Sequence, residues 1–319
     1  MQTSSLRYFL AVARCGSIAA ASARLNVAAS AISRQIANLE DELGCVLFER
    51  RPRGMAPSPA GELLARHANH ILMQADVAVA DILALQGTTR GLIRLATSEG
   101  FAMDVLPNAM ADFHTRFPGI RFELAVMPPL KVTQWVASGE VDIGMTFAIS
   151  RAPDTAIVHR TDVSMVGLCA NGHPLAGNTP VPLRVLQEYP TVLMPEDTTS
   201  RQVFDAACRD QGISIEPVMT TNALSSILSF VKSTRAVAPL ADLSVLGPFL
   251  RGEFSTFPLA EGARTARAVH VHVMRDRQLP RAVQLFLDEL VATLPASLPS
   301  MTDHRAGVRA APRWEDDRR

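Results

Sequence analysis

The first sixty residues limit the fold more than any other part of the chain. Leu6, Phe9, Leu10 and Ala13 recur at helical spacing after Ser4 and Ser5, and Gly16 stands where a helix stops. Ser17 is placed to cap a second, Ala-rich helix running to Leu25, and Asn26-Val27-Ala28 makes a short turn before a third. On that third helix Ile32, Ile36, Leu39 and Leu43 share one face, Ser30, Arg34, Asn38 and Asp41 the opposite one, and Gly44 ends it. Helix, tight turn, helix is the outline of a DNA-reading motif. Its aliphatic side would be buried on the first two helices, with Ser30, Ser33 and Arg34 offered to a major groove.

The next segment reads as a wing. Val46-Leu47-Phe48 predicts a short strand, Arg50-Arg51-Pro52-Arg53-Gly54 a turn and Met55-Ala56 a return strand. Arg50 and Arg53 are then placed to meet phosphate oxygens, which supply affinity and salt dependence but no sequence information. A solvated basic loop is the alternative. Net charge over the whole chain is zero, but residues 1–60 carry seven Arg against four Asp or Glu, so the basic excess sits at one end.

Beyond the wing, Ser58-Pro59 is a good helix start, and apart from Gly61 no proline or glycine intervenes until Gly87. Leu64, Ala68, Ile71, Ala75, Ala78, Ile82 and Leu85 follow alternating steps of four and three, the spacing of a two-helix seam. The same stripe also fits a helix packed on its own chain. Thr88 to Gly91 is the expected hinge. Apolar strands then alternate with helices expected at 105–117, 132–138, 201–211 and 225–233, a pattern that predicts parallel sheet.

At 319 residues the chain needs two or three domains. No stretch reaches the roughly 18 unbroken apolar residues of a membrane span, and the N-terminus lacks the pattern of a secretory signal, so the expected location is the cytoplasm. Cys15, Cys45, Cys169 and Cys208 have neither disulfide nor metal-ligand spacing and read as reduced thiols, with a redox switch at Cys169 and Cys208 as the minor alternative. No cofactor is expected. An enzyme would need a nucleophile with its base, a ligand cluster or a phosphate-cradling loop, and the chain displays none of these.

The segment LRYFLAVARCGSIAAASARLNVAASAISRQIANLEDELGCVLFERRPRG and the following SPAGE closely resemble the LysR-type transcriptional regulators. FHTRFPGIRFEL, ASGEVDIGMTF and NGHPLAG extend the resemblance toward residue 295. It implies an α/β chain with a winged helix-turn-helix at 1–57, a linker helix at 58–87, a hinge at 88–91 and an effector domain at 92–295. That domain would be two-lobed, like a periplasmic solute-binding protein, with lobe one at 92–162 plus 267–295 and lobe two at 163–266. A tail at 296–319 is expected to be disordered. The implied partners are promoter DNA, a small effector expected to be a carboxylate, a second or fourth copy of the chain, and RNA polymerase. By the same resemblance Ser98, Gly100, Thr146, Thr199 and Ser200 lie at the ends of strands facing the cleft. There their hydroxyls and amides would hold the effector while Phe147 and Pro239 wall it. At Thr199 and Ser200 helix capping competes with that role. The family often has Gln and Pro where this chain has Ala29 and Ser30, and glycines where it has Thr234 and Ala236. A solute-binding protein whose N-terminal helices bind another protein is the runner-up reading.

Overall fold

The computed structural model describes residues 3–51, 54–84, 90–148, 154–260 and 267–294. Its first unit is a three-helix head with a hairpin: α1 (Thr3–Cys15), α2 (Ile18–Leu25), α3 (Ala29–Leu43), β1 (Phe48–Arg51) and β2 (Gly54–Pro57). Ser17 caps α2, its Oγ accepting from Ala20 N at 3.1 Å, and Gly44 ends α3 in the left-handed region. Ile32, Ile36 and Leu39 of α3 are buried with Leu6, Phe9, Leu10 and Val12 of α1, and the Phe9 and Phe48 rings stand 5.1 Å apart. Burying each such side chain contributes roughly 1.5–3 kcal/mol. The hairpin is displaced from the sequence expectation. Leu47 is packed into the core before the ladder begins, and Arg50 and Arg51 lie within β1, opposite Met55 and Gly54, instead of forming the turn.

A long helix, α4 (Pro59–Ala84), leaves the head. Ser58 starts it, its Oγ accepting from Gly61 N at 3.1 Å and donating to Val46 O at 2.6 Å. Leu85, most of the expected hinge and the segment 296–319 lie outside the described residues. Gly91, expected to close the hinge, already begins a strand.

The remainder forms two lobes. In chain order come β3 (Gly91–Thr97), α5 (Glu99–Ala102), α6 (Val105–Arg116), β4 (Ile120–Val126), α7 (Pro129–Ala137), β5 (Ile143–Phe147) and β6 (Thr155–Val163). Next are β7 (Met165–Cys169), a 3-10 turn (Leu183–Glu188), β8 (Val192–Leu193), α8 (Thr199–Asp210), β9 (Met219–Thr220), α9 (Leu224–Ser233), β10 (Ala238–Ala241), α10 (Asp242–Leu250) and β11 (Ser255–Pro258). Last come β12 (Arg267–Met274) and α11 (Arg281–Thr293). One lobe holds a five-stranded sheet of order β4-β3-β5-β12-β6, the other a three-stranded sheet of order β10-β7-β11 beside the pair β8-β9.

The five-stranded sheet is mixed and the three-stranded one antiparallel, which departs from the expected parallel sheet, kept only in part of the first sheet and in the β8-β9 pair. β3 runs parallel to β4 and β5, whereas β12 is antiparallel to β5 and β6, and β7 is antiparallel to both its neighbours. The reason is connectivity: β6 leads out of the first lobe at Ser164 and β12 brings the chain back into it. A strand returning from a second lobe has no helical crossover to reverse it and pairs antiparallel. Among the described residues no helix is long and apolar enough to cross a membrane.

Candidate functional site

Two surfaces carry chemistry. On the head, the exposed side of α3 presents Ser30, Ser33 and Arg34 near its N-terminus. Its cap residue, Ala28, supplies no side-chain acceptor to the N-terminus of α3, where Ala31 N donates to Ala28 O at 3.0 Å. Among the described residues Arg34 has no carboxylate partner. Arg50 sits in β1, its backbone in register with Met55, Arg51 is exposed 3.7 Å from Glu49, and Arg53 lies outside the described residues.

Between the lobes lies a narrow, solvent-open cleft lined by Phe147, Val163, Ser164, Met165, Thr199, Ser200, Val203, Ala241 and Arg267. Of the residues selected from the sequence, Phe147, Thr199 and Ser200 meet there. Capping does not consume the two hydroxyl residues, because Thr198 caps α8, its Oγ1 accepting from Arg201 N and donating to Pro195 O at 2.6 Å. Among the described residues neither Thr199 nor Ser200 has a side-chain hydrogen bond of its own. Arg267, which the sequence reading missed, adds a cation from the start of β12. Nothing local flags it, since it reaches the cleft only through the return strand.

Ser98 and Thr146 are buried outside this lining. Ser98 follows β3 and Thr146 is the last but one residue of β5, and their hydroxyls share a hydrogen bond of 2.6 Å, while the Phe101 and Phe147 rings of the adjoining residues stand 5.0 Å apart. Gly100 faces α10 of the other lobe, where a Cβ would stand 2.2 Å from Ser244 Oγ. Pro239 is buried in β10 opposite Gly167, outside the cleft lining. Glu99 spans the lobes, its Oε1 accepting from Leu224 N at the start of α9. Asp242, next to Ala241, accepts from Ser164 N and Leu243 N, yet burial pushes its carboxyl up to about 6.

Along α4 the stripe divides. Leu64 and Ala68 are only 8% and 0% exposed, packed into the head's own core, whereas Ile71 and Ile82 are 44% and 60% exposed and Ala78 is exposed. Cys169 and Cys208 are buried in one core of the second lobe, with Cys169 Sγ donating to Ser255 O at 3.5 Å.

A helix-turn-helix head joined through a long helix to a two-lobed cleft is the arrangement the comparisons describe. The family model "Bacterial regulatory helix-turn-helix protein, lysR family" matches residues 3–62, and "LysR substrate binding domain" matches residues 86–295. The chain belongs to the LysR family. The probable transcriptional regulator LrrA of Synechococcus elongatus is 30% identical over 301 residues, 92% of this chain and 98% of its own length. A full-length OxyR variant from Pseudomonas aeruginosa superposes with a TM-score of 0.67 at 20% identity, covering 91% of this chain and 94% of that one. Full-length CbnR complexed with its target DNA gives 0.56 at 21% identity, covering 91% and 99%. This LysR-type protein is therefore a DNA-binding transcriptional regulator with an effector-binding domain.

Proposed function

We propose that the regulator senses a small organic anion, expected to be a carboxylate, in the interlobe cleft. The observation that carries this reading is the pair of unbonded hydroxyls, Thr199 and Ser200, at the N-terminus of a twelve-residue helix beside Arg267. Hydroxyl and amide donors, a helix dipole and a guanidinium all favour negative charge, while Phe147, Val163, Met165 and Val203 fit an apolar body. Ser98 and Thr146 form the inner wall, with Gly100 and Pro239 backing it from α5 and β10. Ligand-driven adjustment of the lobes then changes how paired heads sit on a promoter.

On the DNA side Ser30, Ser33 and Arg34 read the major groove while Arg50 and Arg53 hold phosphates from the wing. Two copies meet along α4 through Ile71, Ala75, Ala78 and Ile82, and Leu85, expected in the same seam, lies outside the described residues. Leu64 and Ala68, buried in the head, position that helix rather than touch the second copy. The expected domain limits are 1–57, 58–87, 88–91 and 92–295, and the expected location is the cytoplasm.

A thermal-shift screen tests the ligand class. Small aliphatic and aromatic carboxylates are expected to raise the melting temperature of the full-length protein, and matched primary amines to leave it unchanged. Arg267→Ala, and Thr199→Val with Ser200→Ala, should abolish the carboxylate shift. Equal shifts from the amines, or an undiminished shift in both variants, would overturn the assignment.

A further inference from the structure

The head and the first lobe of the effector domain are in direct contact within one chain. Arg14, near the end of α1, reaches out of the head in two directions: Nη2 donates to Asn69 Oδ1 of α4 at 3.0 Å, and Nε forms an ion pair with Glu140 of the lobe. Asn69 is buried, and the Arg14 and Glu140 side chains keep 33% and 22% of their surface exposed, so the charge pair is only partly screened by water. Beside them Gly139, at φ +71°, lies so close to α4 that a Cβ there would stand 2.6 Å from Met73 Cε. The absent side chain and the left-handed turn together let the lobe seat against Met73, itself buried.

Glu140 is held rigidly. Gly139 N and Glu140 N donate back to Val136 O and Trp135 O at the end of α7, and Asp142 N donates to Arg94 O at 2.8 Å. Asp142 in turn accepts from Arg94 N at 2.8 Å and from Arg277 Nη2 at 2.6 Å, with both ion-pair side chains only 5% exposed. The turn is thus fastened to α7, β3 and the segment before α11. After Val141 and Asp142 comes β5, whose far end is Phe147 in the cleft.

We propose that the Ser138–Glu140 turn is a docking pad by which the effector domain grips the DNA-binding head of its own chain, with Arg14 as the head's charged contact. The pad fixes the pose of the head, because Arg14 precedes Gly16 and Ser17, which lead into α2 and from there to α3. β5 makes one rigid element of about 16 Å between cleft and pad, so a displacement at Phe147 is delivered to Glu140 and from there to the head. The inference goes beyond the ligand reading and does not depend on it.

Two measurements on the full-length protein test it. In a background with Cys15→Ser and Cys45→Ser, which leaves only buried thiols, the pair Arg14→Cys and Glu140→Cys should be bridged by a short bismaleimide at least tenfold faster than Arg14→Cys with Asp210→Cys on the second lobe. Equal rates would overturn the docking. On genomic fragments retained by the wild-type protein, Glu140→Lys and Arg14→Glu should each alter the DNase footprint or bend without loss of folding. The exchanged pair, Arg14→Glu with Glu140→Lys, should restore the wild-type pattern. Unchanged footprints in both single variants, or no restoration by a folded exchanged pair, would sink the proposal.

Discussion

Ser98 Oγ and Thr146 Oγ1 lie 2.6 Å apart at the ends of neighbouring strands of the first lobe, so each buried hydroxyl satisfies the other before any ligand arrives. Removing one leaves the other without that partner, which costs about 1–2 kcal/mol for a buried hydroxyl. Ser98→Ala and Thr146→Val should each lower urea stability by that order, and the double variant by less than the sum. Full additivity would mean the two do not share a bond. In gel shifts with an effector present, Ser98→Ala should blunt the response while operator affinity is kept.

Two residues on α4 separate a core role from a seam role. Ile71→Glu puts a charge on an exposed part of the helix, so the monomer should fold and the oligomer should weaken, read by light scattering as a smaller particle. Leu64→Glu places the same charge inside the head's core and should unfold the head, seen as loss of helical circular dichroism. An intact oligomer in Ile71→Glu would remove this face from the assembly.

Much of this was legible because it is local. Ile32, Ile36 and Leu39 declare the buried face of α3 by their period, and Ser17, Gly44 and Ser58 mark helix ends through caps that need only neighbours a few residues away. The two-lobed class followed from the resemblance. What stayed hidden depends on distant partners. Periodicity marks Leu64 and Ile71 as one stripe but cannot say that the head covers one and leaves the other exposed. Thr198, Thr199 and Ser200 are equal candidates for a cap until the backbone selects Thr198. Arg267 enters the cleft only because β12 returns beside Val163, and the antiparallel sense of that strand depends on the same return.

Gly100 offers a packing test between the lobes. A methyl there would stand 2.2 Å from Ser244 Oγ and 3.0 Å from its Cβ. Gly100→Ala should destabilise the effector domain by about 1–3 kcal/mol, as overpacking does. Ser244→Gly in the same chain should recover most of the loss in thermal unfolding. A silent Gly100→Ala would mean that α5 and α10 do not approach this closely in solution.

Asp242 and His272 make opposite demands on pH. Burial pushes the Asp242 carboxyl up to about 6 from 3.8 and the His272 imidazole down to about 4 from 6.5. The aspartate's contribution is fully present below 3.8 and is lost as pH rises through 6, because the folded state holds its proton more tightly than the unfolded chain. The histidine's contribution is present above 6.5 and is lost as pH falls toward 4, because the unfolded chain takes up the proton first. Each amounts to about 3 kcal/mol across its window, and between pH 4 and 6 the two largely cancel. Asp242→Asn should therefore make the protein lose stability more steeply on acidification than the wild type, and His272→Gln should make it lose less or even gain. Urea unfolding of all three proteins at pH 5 and 7.5 separates the terms, and parallel pH profiles would show that neither group titrates differently in the folded and unfolded chain.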